Sequence, residues 1–212
     1  MPGQDLSGFD AAHLDVLKEI GNIGAGNAAT ALSRMLSLRI PMETPKVKIL
    51  AISEADRALG GPETPAVAVL AELSGEIGGM MMFLLDIRFA GLLLRRMLGK
   101  TRADLRNMTE LERSVFSEIG NVMIGSYMRA VSSLSGLSIR MSVPAVTCDM
   151  VGSLLTVPAA EMGKVSDRIL LIEGSFAGSG FSIGGCPGKV NLMLVPRVES
   201  LKKLLDSLGI LP

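Results

Sequence analysis

Apolar residues recur at helical spacing along two long stretches, and the polar residues left between them follow the same order both times. In the first stretch Leu17, Ile20, Gly24, Ala28, Ala31 and Met35 fall on one side of a helical wheel; in the second, Phe116, Ile119, Met123, Tyr127, Ala130 and Leu134 do so. At about 100° per residue, positions i, i+4 and i+7 share a narrow arc. Asp15, Glu19 and Asn22 therefore lie together on the opposite side of the first helix, as do Ser114, Glu118 and Asn121 on the second. Each helix is expected to bury one side and to present a carboxylate beside an amide to water. The first should run over about residues 10–37, capped by Ser7 with Asp10 three residues later. The second should start at the capping box of Thr109 and Glu112 and end near Ser135, before Gly136.

Between the helices the period changes to two. Val47, Ile49 and Ala51 alternate as in a strand, residues 53–64 read as a polar loop around Gly60-Gly61-Pro62, and residues 66–73 and 77–85 read as a hairpin. Asp86 should cap a short helix over residues 87–98 that Gly99 ends. Residues 100–108, mixed in charge, read as a connection. Beyond the second long helix, residues 137–150 and 153–159 read as strands, and 169–176 with 189–195 as a second hairpin joined by a glycine-rich stretch at 178–188. A helix over 197–208 closes the chain before Gly209.

The order helix, strand, hairpin, helix thus occurs twice. Aligning Asp15 with Ser114 fixes an offset of 114 − 15 = 99, and residues 15–47 against 114–146 share 13 identities in 33 ungapped pairs. Among them are Glu19/Glu118, Gly21/Gly120, Asn22/Asn121, Gly26/Gly125 and Pro45/Pro144. With the offset grown to 110, residues 86–99 match 196–209, each ending in Leu-Gly. The expected fold is mixed α/β of the α+β kind, internally duplicated about a pseudo-two-fold axis. Two long helices would pack on a shared, antiparallel-rich sheet with two shorter helices, in one domain over 1–212 made of repeats at about 10–99 and 109–209.

Composition narrows the function classes. With 21 basic and 21 acidic residues and no basic run longer than Arg95-Arg96 or Lys202-Lys203, no nucleic-acid surface is expected. Apolar residues make up 48% of the chain, but no run approaches the roughly 18–20 residues that span a bilayer, so no membrane insertion is expected. His13 is the only histidine, and Cys148 and Cys186 stand far apart. A histidine-ligated metal, a Ser-His-Asp triad and a disulfide framework are all poorly supplied, and no metal site is expected. The N-terminus shows no basic region followed by an apolar one, which points to a cytoplasmic protein. Duplication inside one chain makes a monomer the expected state.

Three glycines interrupt the first helix, each costing about 0.5–1 kcal/mol relative to alanine, so something must compensate. Gly24 falls on the buried side, where it would let a neighbouring helix approach. Gly26 falls on the Asn22 side, where it would admit another molecule's backbone, and Gly125 repeats it. The spacing of Gly21, Gly24 and Gly26 is not a dinucleotide fingerprint, because no strand precedes the helix.

The pattern Asp/Ser-x3-Glu-x2-Asn, then 22 residues, then Pro, occurs intact twice: Asp15, Glu19, Asn22, Pro45 and Ser114, Glu118, Asn121, Pro144. It resembles the motif of the CheC family of chemotaxis phosphatases, related to CheX and to the flagellar-switch phosphatase FliY, over nearly the whole chain. The FliM middle domain resembles the fold without the acidic and amide pair; here neither copy departs from the pattern.

The resemblance implies a substrate, phosphorylated CheY, whose receiver domain carries an acyl phosphate on an aspartate. Glu19, Asn22, Glu118 and Asn121 become the candidate catalytic residues. An amide donates and accepts at once, so Asn22 and Asn121 would hold a water in line with the phosphorus. Glu19 and Glu118 would pair with the receiver's lysine, and Mg²⁺ would arrive on the receiver, with no cofactor bound by this chain. Asp15, Ser114, Gly26 and Gly125 would support the faces, while Pro45 and Pro144 would fix the chain between helix and strand. The family also implies a second partner, the receptor deamidase CheD. The alternatives are a non-catalytic scaffold and a flagellar-switch module that binds phosphorylated CheY.

Overall fold

The computed structural model describes residues 11–37, 43, 45–99, 104–162, 168–176 and 188–210. The caps expected at Ser7 and Asp10, and most of the glycine-rich stretch, lie outside the described residues. The chain runs α1 (Ala11–Met35), β1 (Lys46–Ala51), α2 (Ile52–Ala58), β2 (Pro65–Gly75), β3 (Gly79–Asp86) and α3 (Ile87–Leu98). It continues with α4 (Glu110–Ser135), β4 (Ile139–Met141), β5 (Ala145–Met150), α5 (Val151–Leu154), α6 (Thr156–Met162), β6 (Arg168–Phe176), β7 (Gly188–Pro196) and α7 (Val198–Ser207).

Local signals set the helix ends. Asp86 Oδ1 accepts the backbone N–H groups of Arg88 at 2.8 Å and Phe89 at 3.3 Å, starting α3. Thr109 and Glu112 close their capping box: the Glu112 N–H donates to Thr109 Oγ1 at 3.3 Å, and the Thr109 N–H donates to Glu112 Oε2 at 2.8 Å. Gly99 and Gly136 end α3 and α4 at φ of 67° and 71°, a left-handed turn that suits a residue without a side chain.

The seven strands form one sheet in the order β1-β6-β7-β3-β2, with β4 and β5 both on the outer edge of β2, and every pairing is antiparallel. Exchange β1 with β5, β2 with β6 and β3 with β7, and the order reads the same from the other end. The central register obeys the same exchange. With the offset of 110, Met82 matches Leu192 and Phe83 matches Met193, and the observed pairs Met82↔Met193 and Phe83↔Leu192 map onto one another.

Alternate residues of each strand enter two separate cores. Met81, Phe83, Leu85, Leu192 and Leu194 pack with Ile20, Phe116, Tyr127, Phe89 and Leu205, so α1, α3, α4 and α7 share one face of the sheet. Met80, Met82, Leu84, Met193 and Val195 face the other way, onto Ala55, Leu59, Val151, Leu154 and Leu155. A central strand covered on both faces reads as an unbroken apolar run, which accounts for residues 80–85.

Three expectations are corrected, two of them by that second layer. Residues 53–64 do not begin as a loop: α2 carries Ile52, Ala55 and Leu59 at helical spacing under its polar residues, and Glu54 Oε2 accepts the Ala51 N–H at 3.1 Å. Residues 153–159 are not a strand, because Val151, Leu154 and Leu155 at i, i+3 and i+4 turn a short helical face onto the sheet. The stretch 137–150 is two strands rather than one. Pro144 cannot donate to a ladder, and Ser142 replaces it there, its Oγ accepting the Glu72 N–H at 3.0 Å and its N–H donating to the Glu72 carbonyl at 2.9 Å. Leu134 also departs from its expected burial. It shares the angle of Tyr127 but lies two turns on, uncovered at the helix end and 45% exposed.

The long helices α1 and α4 pack side by side. Gly24 makes this possible, since a side chain there would strike the Tyr127 ring. Tyr127 is fully buried, and its hydroxyl finds no hydrogen-bond partner; desolvation raises its pKa, so it stays neutral.

Candidate functional site

Each long helix turns its motif away from the sheet, and a glycine beside the amide sets how closely it can sit. Gly21 precedes Asn22 and rests over β1 and β6, where a Cβ would come within 3.1 Å of Val47 Cγ2 and 3.3 Å of Ile172 Cδ1. Gly120 precedes Asn121, and a Cβ there would collide with Val69 Cγ1 and lie 3.5 Å from Pro144 Cβ. The identity of these two glycines is visible in the repeat, but their function as seats is not, because the strands under them are far away in sequence. Since β1 and β5 lie at opposite edges of the sheet, the two faces also lie toward opposite edges.

On α1 the stripe is Asp15, Glu19, Asn22 and Gly26. Asp15 and Glu19 are exposed, and Lys18 Nζ donates to Asp15 Oδ1 at 2.9 Å. Asn22 is half-buried, with Oδ1 out of solvent and without a hydrogen-bond partner. Gly26 is open: a Cβ would meet nothing within 4 Å. Beside it, Thr30 Oγ1 donates to the Gly26 carbonyl and Asn27 Nδ2 to that of Ile23, both at 2.9 Å. Pro45, before β1, is half-buried.

On α4 the stripe is Ser114, Glu118, Asn121 and Gly125, and the first three are all exposed. The linker from β4 to β5 runs along this helix and is bonded to it. Ser117 Oγ donates to the carbonyl of the buried Pro144, and Arg113 Nη1 donates to that of Val146, both at 3.2 Å. Gly125 is partly covered, with Arg129 Nη1 3.3 Å from where a Cβ would be; Arg129 also donates to Ser126 Oγ at 2.8 Å. The structure therefore brings Asp15, Glu19 and Asn22 together, and separately Ser114, Glu118 and Asn121.

Neither stripe holds a histidine or a cysteine. His13 is buried at the start of α1, away from the stripe. Cys148 is half-buried on β5, its pKa raised chiefly by desolvation, so the thiolate is disfavoured. Cys186 lies outside the described residues. Among the described residues no cluster of three or more His, Cys, Asp or Glu is placed to hold a metal ion, and no helix is long and apolar enough to cross a membrane. Each stripe instead offers an amide and a carboxylate one helical turn apart, able to bind and orient what another molecule brings.

Comparison with known proteins finds similar arrangements. Residues 13–49 and 111–147, the two helix and strand segments that carry the motif, each match the model of the CheC-like family. Over 206 residues the chain is 29% identical to a CheY-P phosphatase CheC from Bacillus subtilis (strain 168), covering 96% of this chain and 97% of that one. In structure it resembles FliY from Thermotoga maritima at a TM-score of 0.72 and 22% identity, covering 95% of this chain and 98% of that one. It also resembles a chain of the CheX-CheY-BeF3-Mg²⁺ complex from Borrelia burgdorferi at a TM-score of 0.52 and 17% identity, covering 82% and 96%.

Proposed function

From a chain that carries the CheC-like segment twice, we propose a phosphatase that hydrolyses the aspartyl phosphate of the chemotaxis response regulator CheY. The observation that carries the reading is the recurrence of one Glu-x-x-Asn stripe, turned away from the sheet over a glycine seat, toward two edges of one sheet. A B. subtilis relative that aligns over nearly the full length of both chains bears the same activity in its name.

The reaction needs little from the enzyme beyond position. Water attacks the phosphorus, the bond to the aspartyl oxygen breaks, the carboxylate is regenerated and phosphate leaves. The Asn22 or Asn121 amide accepts a hydrogen bond from the water and donates one toward the phosphoryl oxygens, holding the attack in line. Glu19 or Glu118 pairs with a lysine of the receiver and fixes the orientation of the complex. Charge on the phosphoryl group is met by Mg²⁺ that the receiver carries. Asp15 and Ser114 support the two faces, and Pro45 and Pro144 hold the chain between helix and strand. We read the chain as a single cytoplasmic domain of two repeats, monomeric, with the deamidase CheD as a second partner.

The test is phosphate release from CheY charged with acetyl phosphate and Mg²⁺. Asn22→Ala with Asn121→Ala should reduce the acceleration about 10²-fold, the size of effect expected when a positioning group is lost. A double variant that keeps full activity sinks the catalytic reading and leaves the scaffold or flagellar-switch alternative. Retained binding of CheY by the inactive variant would separate docking from turnover.

A further inference from the structure

Among the described residues, the large apolar side chains that stand open are Leu111, Leu134, Val143, Met150 and Val157. Single exposed apolar residues are ordinary, but two of these border the same polar stripe. Leu111, 58% exposed, precedes Ser114 by three positions and Glu118 by seven, so it heads the stripe on the same arc of α4. Val143, 86% exposed, belongs to the linker bonded along that helix. On one side of it Met141 Sδ lies 3.7 Å from the Cβ position of Gly125, and on the other Pro144 Cβ lies 3.5 Å from that of Gly120. Val143 is thereby carried to the level of Asn121. The repeat places Ala12 and Thr44 at the matching positions, since 111 − 99 = 12 and 143 − 99 = 44. The apolar border is a feature of the second copy.

We infer that Leu111 and Val143 are docking contacts for the phosphorylated receiver domain at the second face and set its affinity there. The inference rests on the phosphatase reading. A partner that brings its phosphate to Asn121 and buries about 800 Å² of this surface covers a patch roughly 30 Å across. Leu111 lies about 15 Å along the helix axis from Asn121, at the rim of that footprint, and Val143, between Met141 and Pro144 on the linker, falls within it. The stripe itself offers Ser, Glu, Asn and Gly, whose hydrogen bonds exchange with water for little net gain; removal of apolar area from water supplies the surplus that holds a complex. Asn121 thus acts on the plateau rate, and Leu111 with Val143 acts on KM.

The experiment uses the Asn22→Ala background, in which only the second face turns over, and compares it with the same chain carrying Leu111→Ser and Val143→Ser. KM for phosphorylated CheY, and Kd for CheY charged with beryllofluoride and Mg²⁺, should each rise about tenfold, as for truncation of moderate interface anchors. The plateau rate should stay within about twofold, since the amide is untouched. Leu111→Ile with Val143→Ile should restore both constants. Unchanged KM and Kd in the Ser variant, while Asn121→Ala still removes turnover, overturns the docking inference and leaves the phosphatase reading standing. A wild-type dimer that the Ser variant dissolves, with KM unchanged, assigns the patch to a second copy of the chain and also overturns it. Phosphate release by the wild-type chain but none by the background chain overturns the docking inference alone; no release by the wild-type chain overturns both readings.

Discussion

On α1 the Asp15 carboxylate is held by Lys18 and the Asn22 amide turns a buried, unbonded oxygen inward; on α4, Ser114, Glu118 and Asn121 all stand in water beside a linker tied to the helix. The motif residues are nearly the same, so the difference comes from their neighbours. Lys18 faces Asp15, while Ser117 at the matching position bonds Pro144. Arg113 bonds Val146 where the first copy has Leu14, and Arg129 leans over Gly125 where the first copy has Thr30. A duplicated backbone repeats the positions of a site, but it does not repeat the side chains that decide how much of that site a partner can reach.

The sharpest test of this comparison is to remove the two amides one at a time. Asn121→Ala should lower phosphate release about five- to tenfold and Asn22→Ala about twofold or less, because the recessed amide reaches a docked phosphate less readily. Equal losses would mean that a partner draws Asn22 outward and that the difference in burial has no kinetic meaning.

The glycine seats come next. Gly120→Ala should cost about 2–3 kcal/mol in urea unfolding, since its methyl collides with the branch of Val69 on a central strand. Gly21→Ala should cost about 1 kcal/mol or less, because it meets side-chain ends at 3.1–3.3 Å and gains helix propensity in return. Similar costs would show that the two helices do not sit on the sheet as unequally as these distances imply.

Smaller effects separate the rims of the faces. Gly26→Ala meets nothing and should stabilise α1 by about 0.5–1 kcal/mol; if it also raises KM in an Asn121→Ala background, a partner's backbone approaches there. The smallest change is Asp15→Ser, which makes the first face resemble the second. Loss of an exposed ion pair should shift stability by about 0.5 kcal/mol or less and weaken its dependence on salt, read from melting at low and high ionic strength.

The relation of the halves to one another follows the same logic. At the α1 and α4 contact, Gly24 and Ala28 occupy the positions that Met123 and Tyr127 hold in the second copy, and the Tyr127 ring fills the space left by Gly24. Identical helices would either clash or leave a void there; divergence in opposite directions lets them close.

Much of this was open to sequence reading. Periodicity determined the long helices and their wet sides, the capping residues determined where α3 and α4 begin, and recurrence of Glu-x-x-Asn singled out the stripes, because these are properties of neighbours along the chain. Short elements were not legible. In α2 and α5 the apolar stripe is only two or three residues long, and it takes its meaning from Met82, Leu84 and Met193 on the far face of the sheet. Only the tertiary structure decided that the two cores lie back to back, that Gly21 and Gly120 are seats, and that Asn22 is recessed while Asn121 is not. Each of these depends on which distant strand or linker lies within a few ångströms, and no spacing along the chain carries that distance.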